Sequence, residues 1–129
     1  MLLDTHVVLW LLDNSSRLGP EARAAIMTST AVHVSAASIW EIAIKASGGR
    51  LDVSDDLLQQ IAEAAFTVLP VTETHAWGVR GLVGLPHGDP FDRLLVAQAA
   101  AEQLTFVTAD RAILGATLSP EVTVLDARV

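Results

Sequence analysis

The sequence predicts an α/β sandwich with a mainly parallel central sheet, and three observations predict it. Short apolar runs alternate with helical patterns along all 129 residues, the pattern of parallel strands joined by crossover helices. No internal repeat, low-complexity tract or linker divides the chain, so residues 1–129 are expected to form one domain. The 51% hydrophobic content, rich in Ala, Leu and Val, is ample for one core at this length.

The elements follow in order. "MLL" (1–3) is a short apolar strand closed by Asp4, and "THVVLWLLD" (5–13) reads as a helix. "GPEARAAIMTS" (19–29) is a second helix, with Pro20 at a favourable first-turn position. "AVHVS" (31–35) is β-like, with valines on alternate positions. "SIWEIAIKASGG" (38–49) places Ile39, Ile42, Ala43 and Ala46 at helical spacing and stops at Gly48-Gly49. "SDDLLQQIAEAAF" (54–66) is a helix capped by Ser54, with acids in its first turn. "TVLPV" (67–71) is a strand, "TETHAWGVRGL" (72–82) a helix, and "VGLPHGDP" (83–90) a loop punctuated by Gly84, Pro86, Gly88 and Pro90. "FDRLLVAQAAAEQ" (91–103) carries the strongest helical pattern and "LTFVT" (104–108) the strongest strand pattern. "DRAILGA" (110–116) begins another helix, and "VTVLD" (122–126) is a last strand.

Composition removes several classes of function. Without cysteine there is no disulfide framework, zinc-thiolate site or cysteine nucleophile. The first residues are apolar but interrupted by Asp4, Thr5 and His6 and carry no basic start, unlike a secretory signal. No run approaches the ~18 apolar residues of a membrane span. The expectation is a soluble cytoplasmic protein with no membrane partner. A net charge of −7 argues against a general nucleic-acid binder but not against an enzyme that meets nucleic acid through bound cations. There is neither a G-x-S-x-G elbow nor a glycine-rich phosphate loop.

The acids carry the chemistry. In a parallel sheet ligands gather at the carboxyl ends of the strands. Asp4 follows the first strand, Glu41 lies in the helix after the second, Asp110 follows "LTFVT", and Asp89 and Asp92 begin the helix that feeds that strand. All are expected on one edge of the sheet. Each also has a plainer role. Asp4 and Asp110 would cap the helices that follow them, with Thr108 an alternative cap for the second. Glu41 completes an S-x-x-E capping box with Ser38 and stands four residues before Lys45, the favourable order for a helical ion pair. In "DPFD", Asp89 reads as N-cap, Pro90 as N1 and Asp92 as N3, which leaves Asp92 less explained by capping.

Together the acids say more than any one alone. Carboxylates packed on one edge raise each other's pKa unless a cation compensates. An oxygen-only donor set suits Mg²⁺ or Mn²⁺, ions that activate water and offset charge on a phosphate. Arg93 and Arg111 each follow a candidate acid and could contact phosphate. The histidines have no ligand spacing. His33 reads as a core or edge residue of its strand, and His6 and His87 fall near the proposed edge. Trp10, Trp40 and Trp77 sit in apolar helical patterns and read as core.

"LLDTHVVLWLL", "SAASIWEIAIK", "HGDPFDRLLVAQAAAEQ" and "LTFVTADRAI", in this order, resemble the PIN-domain toxins of the VapC type over essentially the whole chain. The resemblance implies a three-layer α/β/α sandwich and an Mg²⁺- or Mn²⁺-dependent endoribonuclease. By position Asp4, Glu41, Asp92 and Asp110 would form the catalytic site, with Asp4, Asp92 and Asp110 on the metal. Asp89 would be an additional or outer-shell ligand, and Thr5 or Thr108 would supply the hydroxyl beside the first or last acid. The resemblance also implies an RNA substrate, a small cognate antitoxin that inhibits the toxin, and a homodimer or a hetero-oligomer with that antitoxin. Helices 5–13 and 54–66 offer apolar residues for such a surface, and the loop 81–90 could set the choice of RNA.

Two other readings compete. An aspartyl-phosphate phosphotransfer protein would want a D-x-D pair or a lysine after a later strand, and neither "DTH" nor the lone Lys45 fits. A non-catalytic interaction module would use the acids only as caps and would bind no metal.

Overall fold

The computed structural model describes residues 1–85 and 88–129. The expectations placed on Pro86 and His87 lie outside the described residues. The elements are β1 (Leu2–Leu3), α1 (Thr5–Leu12), α2 (Pro20–Thr28), β2 (His33–Ser35), α3 (Ala36–Ser47), α4 (Leu57–Glu63), β3 (Thr67–Leu69), α5 (Glu73–Gly78) running into a 3-10 turn (Val79–Gly81), α6 (Pro90–Glu102), β4 (Phe106–Thr108), α7 (Arg111–Leu114) and β5 (Val124–Asp126). The five strands form one sheet in the order β3-β2-β1-β4-β5, with every neighbouring pair parallel.

Alternation along these short strands builds the layers, because successive side chains leave opposite faces of a strand. Leu3, Val34 and Val107 lie in register on one face and bury against Val7 and Val8 of α1, Ala22 and Ile26 of α2, and Ile61 of α4. Leu2 and Phe106 lie in register on the other and bury against Leu95, Val96 and Ala99 of α6 and Ile113 of α7. Two cores flank one sheet, so the three-layer α/β/α sandwich is the architecture. The parallel direction puts the carboxyl ends of β1 and β4, and the residues Asp4 and Ala109 after them, on one edge.

Several boundaries differ from the sequence reading. Helix α3 starts at Ala36 with Ser35 as its N-cap, the Ser35 hydroxyl accepting the Ala37 N–H at 3.0 Å. Ser38 is therefore inside the first turn, and the S-x-x-E capping box does not form. Ser54 does not cap α4 either. Its hydroxyl accepts from the Asp56 N–H at 3.2 Å in a turn before the helix, which begins at Leu57 with no side-chain cap. Trp40 and Trp77 are not core residues: they are 61% and 69% exposed. Trp40 packs edge-on against Phe91 at 5.2 Å, and Arg80 covers the Trp77 ring at 4.8 Å. Helical spacing placed them on apolar stripes, but α5 packs chiefly on α6 and α3 on α6, α1 and β2, and both rings lie outside those contacts. Of the apolar residues expected to form a surface on helices 5–13 and 54–66, Trp10, Leu11, Leu12 and Leu57 pack against the first core, while Leu58, Ala62, Ala64 and Ala65 are exposed.

A buried polar group ties α5 and α6 to the sheet. His75 and Gln98 are both fully enclosed. Gln98 accepts the Ser35 hydroxyl at 2.5 Å, and its amide nitrogen lies 3.3 Å from both the Pro70 carbonyl and His75 Nδ1. His75 Nδ1 also accepts the Thr72 N–H at 3.0 Å, which leaves Nε2 to donate to Glu102 at 2.7 Å. The set satisfies itself, as buried polar groups must. His33, read as core or edge, is half-buried in β2. Among the described residues no helix is long and apolar enough to cross a membrane.

Candidate active site

Asp4 is the residue after β1 and the N-cap of α1, so the end of the strand aims its carboxylate across the edge of the sheet. It is almost fully buried. Its Oδ1 accepts the Thr5 N–H at 2.7 Å and its Oδ2 accepts the Thr108 hydroxyl at 2.6 Å. Thr108 ends β4, and its oxygen in turn accepts the Asp110 N–H at 3.0 Å. One hydroxyl thus links the first and last acids of the predicted site. Burial pushes the Asp4 carboxyl above its ordinary pKa. The Thr108 hydroxyl, nearby His6 and the Thr5 N–H oppose that shift, and the charge of Glu41 adds to it.

Asp92 lies at N3 of α6, behind an N-cap formed by Asp89, whose Oδ1 accepts the N–H groups of Phe91 at 2.9 Å and Asp92 at 3.1 Å. The positions expected from "DPFD" hold: Asp89 caps, Pro90 opens the helix and Asp92 stands at N3. Asp110 caps α7, accepting from Ala112 and Ile113 at 2.8 and 3.2 Å. Capping and membership of the site are not alternatives here, because a helix N-terminus at the strand ends places its cap in the pocket. Asp4, Asp92 and Asp110 line one pocket of about 350 Å³, with His6, Trp10, Ala109 and Arg128.

Glu41 lies behind this pocket and is not among its lining residues. It is buried on the second turn of α3, where Oε1 accepts the Thr5 hydroxyl at 2.7 Å and Oε2 pairs with Lys45 at 2.7 Å. The i,i+4 ion pair is as the sequence indicated. Thr5 Oγ1 also lies 3.0 Å from Ser38 Oγ. A hydroxyl has one proton to give. The shorter bond to the carboxylate takes it, and Ser38 donates to Thr5. Glu41, Thr5 and Asp4 therefore form a chain from α3 to the pocket wall.

Three acids share the pocket, yet among the described residues no three acids or histidines are grouped closely enough to hold an ion as they stand. Arg93 and Arg111 do not line the pocket; Arg111 is exposed at the head of α7 and Arg93 is half-buried on α6. Sequence reasoning missed Arg128 and placed Trp10 wholly in the core. Arg128 carried no signal, since nothing in its neighbourhood repeats or caps. Trp10 had one: it lies four residues after His6 on α1, a spacing that puts both on one face, and the two rings meet edge-on at 6.4 Å.

The sequence model of the PIN domain family matches residues 1–116. The chain belongs to the PIN domain family. The protein is 35% identical over 114 residues to Ribonuclease VapC22 of Mycobacterium tuberculosis, an alignment that covers 86% of this chain and 87% of that one. Among solved structures, this PIN domain superposes on VapBC2 from Rickettsia felis bound to a DNA fragment from its promoter with TM-score 0.62, 13% identity, and coverage of 97% of this chain and 96% of that one. It superposes on a toxin-antitoxin complex from Klebsiella pneumoniae with TM-score 0.59, 15% identity, and coverage of 88% and 90%. For FitAcB from Neisseria gonorrhoeae the values are TM-score 0.59, 22% identity, and coverage of 96% and 95%. The family named by the four sequence motifs is the family of the chain, and the solved structures share its fold.

Proposed function

We propose that this PIN domain is a divalent-metal-dependent endoribonuclease of the VapC type, a single-domain cytoplasmic toxin that a cognate antitoxin neutralises. The observation that carries the reading is the convergence of Asp4, Asp92 and Asp110 on one pocket at the carboxyl edge of the sheet. Similarity to a ribonuclease over most of both chains supports the reaction class, and the fold shared with toxin-antitoxin complexes supports the partner. The same reading includes a dimer of this chain or a hetero-oligomer with the antitoxin.

The donor set fits the metal. Three carboxylates offer only hard oxygen ligands, and the chain has no thiolate to favour a softer ion. Asp4, Asp92 and Asp110 would hold Mg²⁺ or Mn²⁺, with Glu41 and Asp89 in supporting positions. When bound, the ion supplies a Lewis acid that lowers the pKa of water and offsets charge on the phosphate. The chain's own residues prepare the site. The Thr5 N–H and the Thr108 hydroxyl fix the plane of the Asp4 carboxylate, each leaving a lone pair on the oxygen it binds. Glu41 holds the Thr5 hydroxyl proton and keeps α1 in register with α3. Trp10 and His6 wall one side of the pocket with rings, limiting the water that reaches the acids.

The test is cleavage of a panel of structured RNAs with and without EDTA. Wild type is expected to cleave only in the presence of the ion, and Asp4→Asn and Asp92→Asn to lose cleavage while keeping the wild-type far-UV spectrum and melting temperature within a few degrees. Wild-type activity in either variant would remove that residue from the site. Expression of wild type is expected to arrest growth, expression of Asp4→Asn is not, and co-expression of the antitoxin is expected to relieve the arrest.

A further inference from the structure

We infer that Arg128 is the residue of this chain that grips the RNA backbone at the pocket, an assignment that rests on the nuclease reading above. Among the described residues lining the pocket, Arg128 is the only one that carries a permanent positive charge, and it faces Asp4, Asp92 and Asp110 across the same space. The guanidinium is not a loose surface group. Its Nε and Nη2 lie 3.1 and 3.0 Å from the two oxygens of Asp126, a fork that fixes its plane. The Arg128 N–H donates to Asp126 Oδ1 as well, at 2.9 Å.

The backbone around it is equally held. The Ala127 N–H donates to the Thr108 carbonyl at 2.8 Å, so the segment is tied to the strand end that carries the hydroxyl partner of Asp4. On its other side Gly19 donates to Ala127 and Glu21 to Val129, both at 2.8 Å. The approach is so close that a Cβ on Gly19 would stand 2.2 Å from the Val129 carbonyl carbon. Ala127 is fully buried. The bonds of residues 126–129 thus hold one cation at the rim of an acidic pocket. The Arg128 side chain is 35% exposed, leaving guanidinium surface open to a ligand.

A pocket of acids repels a phosphodiester even after cations neutralise part of it. A chain of net charge −7 has few means to overcome that repulsion elsewhere. Arg128 meets a non-bridging oxygen of the RNA backbone next to the pocket, and Asp126 keeps it aimed while RNA is absent. Arg93 and Arg111, the cations beside the acids in sequence, do not line the pocket.

The test compares Arg128→Ala and Asp126→Asn with wild type, using a fluorescent single-stranded RNA that wild type cleaves. RNA binding is also measured in the cleavage-dead Asp4→Asn background over a range of salt. Loss of one charge-assisted contact is expected to raise KM of Arg128→Ala about tenfold with kcat within about twofold of wild type. Its salt slope for binding is expected to fall by about 0.7, the value for one phosphate contact on single-stranded nucleic acid. Asp126→Asn keeps the acceptor for the Arg128 N–H and breaks the fork that aims the guanidinium, so its KM is expected to rise, but by less than that of Arg128→Ala. Unchanged KM and salt slope in Arg128→Ala overturn the assignment and leave the nuclease reading intact. A wild type that neither binds nor cleaves RNA overturns both.

Discussion

Replacing Thr108 with valine keeps the shape and β-branching of the side chain and removes only its hydroxyl. Thr108 is fully buried, donates to Asp4 at 2.6 Å and accepts from the Asp110 N–H at 3.0 Å. Valine leaves the buried Asp4 carboxylate short of a charge-assisted hydrogen bond, a loss of ~1.5–3 kcal/mol, and leaves the Asp110 N–H without its acceptor, ~1 kcal/mol for a partly solvated group. The sum is about 3 kcal/mol, which for a domain of this size lowers Tm by roughly 12 °C. The Thr108 hydroxyl is also the strongest influence holding the Asp4 pKa down against burial, so the variant raises that pKa further. An acid whose folded pKa lies above its unfolded value opposes folding when ionised, and the penalty disappears as pH falls and the proton is taken up. The Tm deficit of Thr108→Val is therefore expected to be largest at neutral pH and to narrow in acid. Mn²⁺ binding requires the ionised form, so its acid limb is expected to move to higher pH. Differential scanning calorimetry and Mn²⁺ titration across pH make both measurements. A Tm within ~2 °C of wild type at every pH, together with an unmoved metal-binding limb, would refute the reasoning.

Three further outcomes follow from particular contacts. Glu41→Gln keeps a partner for Thr5 but removes a charge that raises the Asp4 pKa; as an outer residue it is expected to lower cleavage about 10–100-fold rather than abolish it, measured against the silent Asp4→Asn. Gln98→Leu breaks the buried group of Ser35, Pro70 and His75 and is expected to cost ~2–4 kcal/mol in urea unfolding while leaving cleavage at low temperature unaffected. Gly19→Ala forces a methyl into the Val129 carbonyl; it is expected to cost ~1–3 kcal/mol and to free residues 127–129, read as faster amide exchange at Ala127.

Much of this was legible in the sequence, and the reason is local. Alternating apolar residues in "LTFVT" and "AVHVS" wrote the two faces of the sheet, and "DPFD" wrote an N-cap, a first-turn proline and a spare acid, because each signal depends on residues within one turn or one pleat. Strand ends then placed Asp4, Asp92 and Asp110 together through topology alone. What was not legible depends on distance along the chain. Thr108 reaches Asp4 across 104 residues and Thr5 reaches Glu41 across 36; no spacing encodes either bond. The Ser38 box looked sound because S-x-x-E is a local pattern, yet Ser35 stood at the strand end and captured the helix first. Helical spacing named Trp40 and Trp77 as core, but spacing does not say how much of an apolar face a neighbouring element covers, and both rings are exposed.

The central claim is that acids which could have been mere helix caps meet in one pocket to hold a metal ion. Calorimetric titration of Mn²⁺ into purified wild type and Asp92→Asn tests it most directly, because Asp92 lines the pocket from the N3 position of α6, behind the Asp89 cap. Saturable binding by wild type and its loss in a folded Asp92→Asn are expected. Absence of binding by folded wild type, or equal binding by the variant, would contradict it.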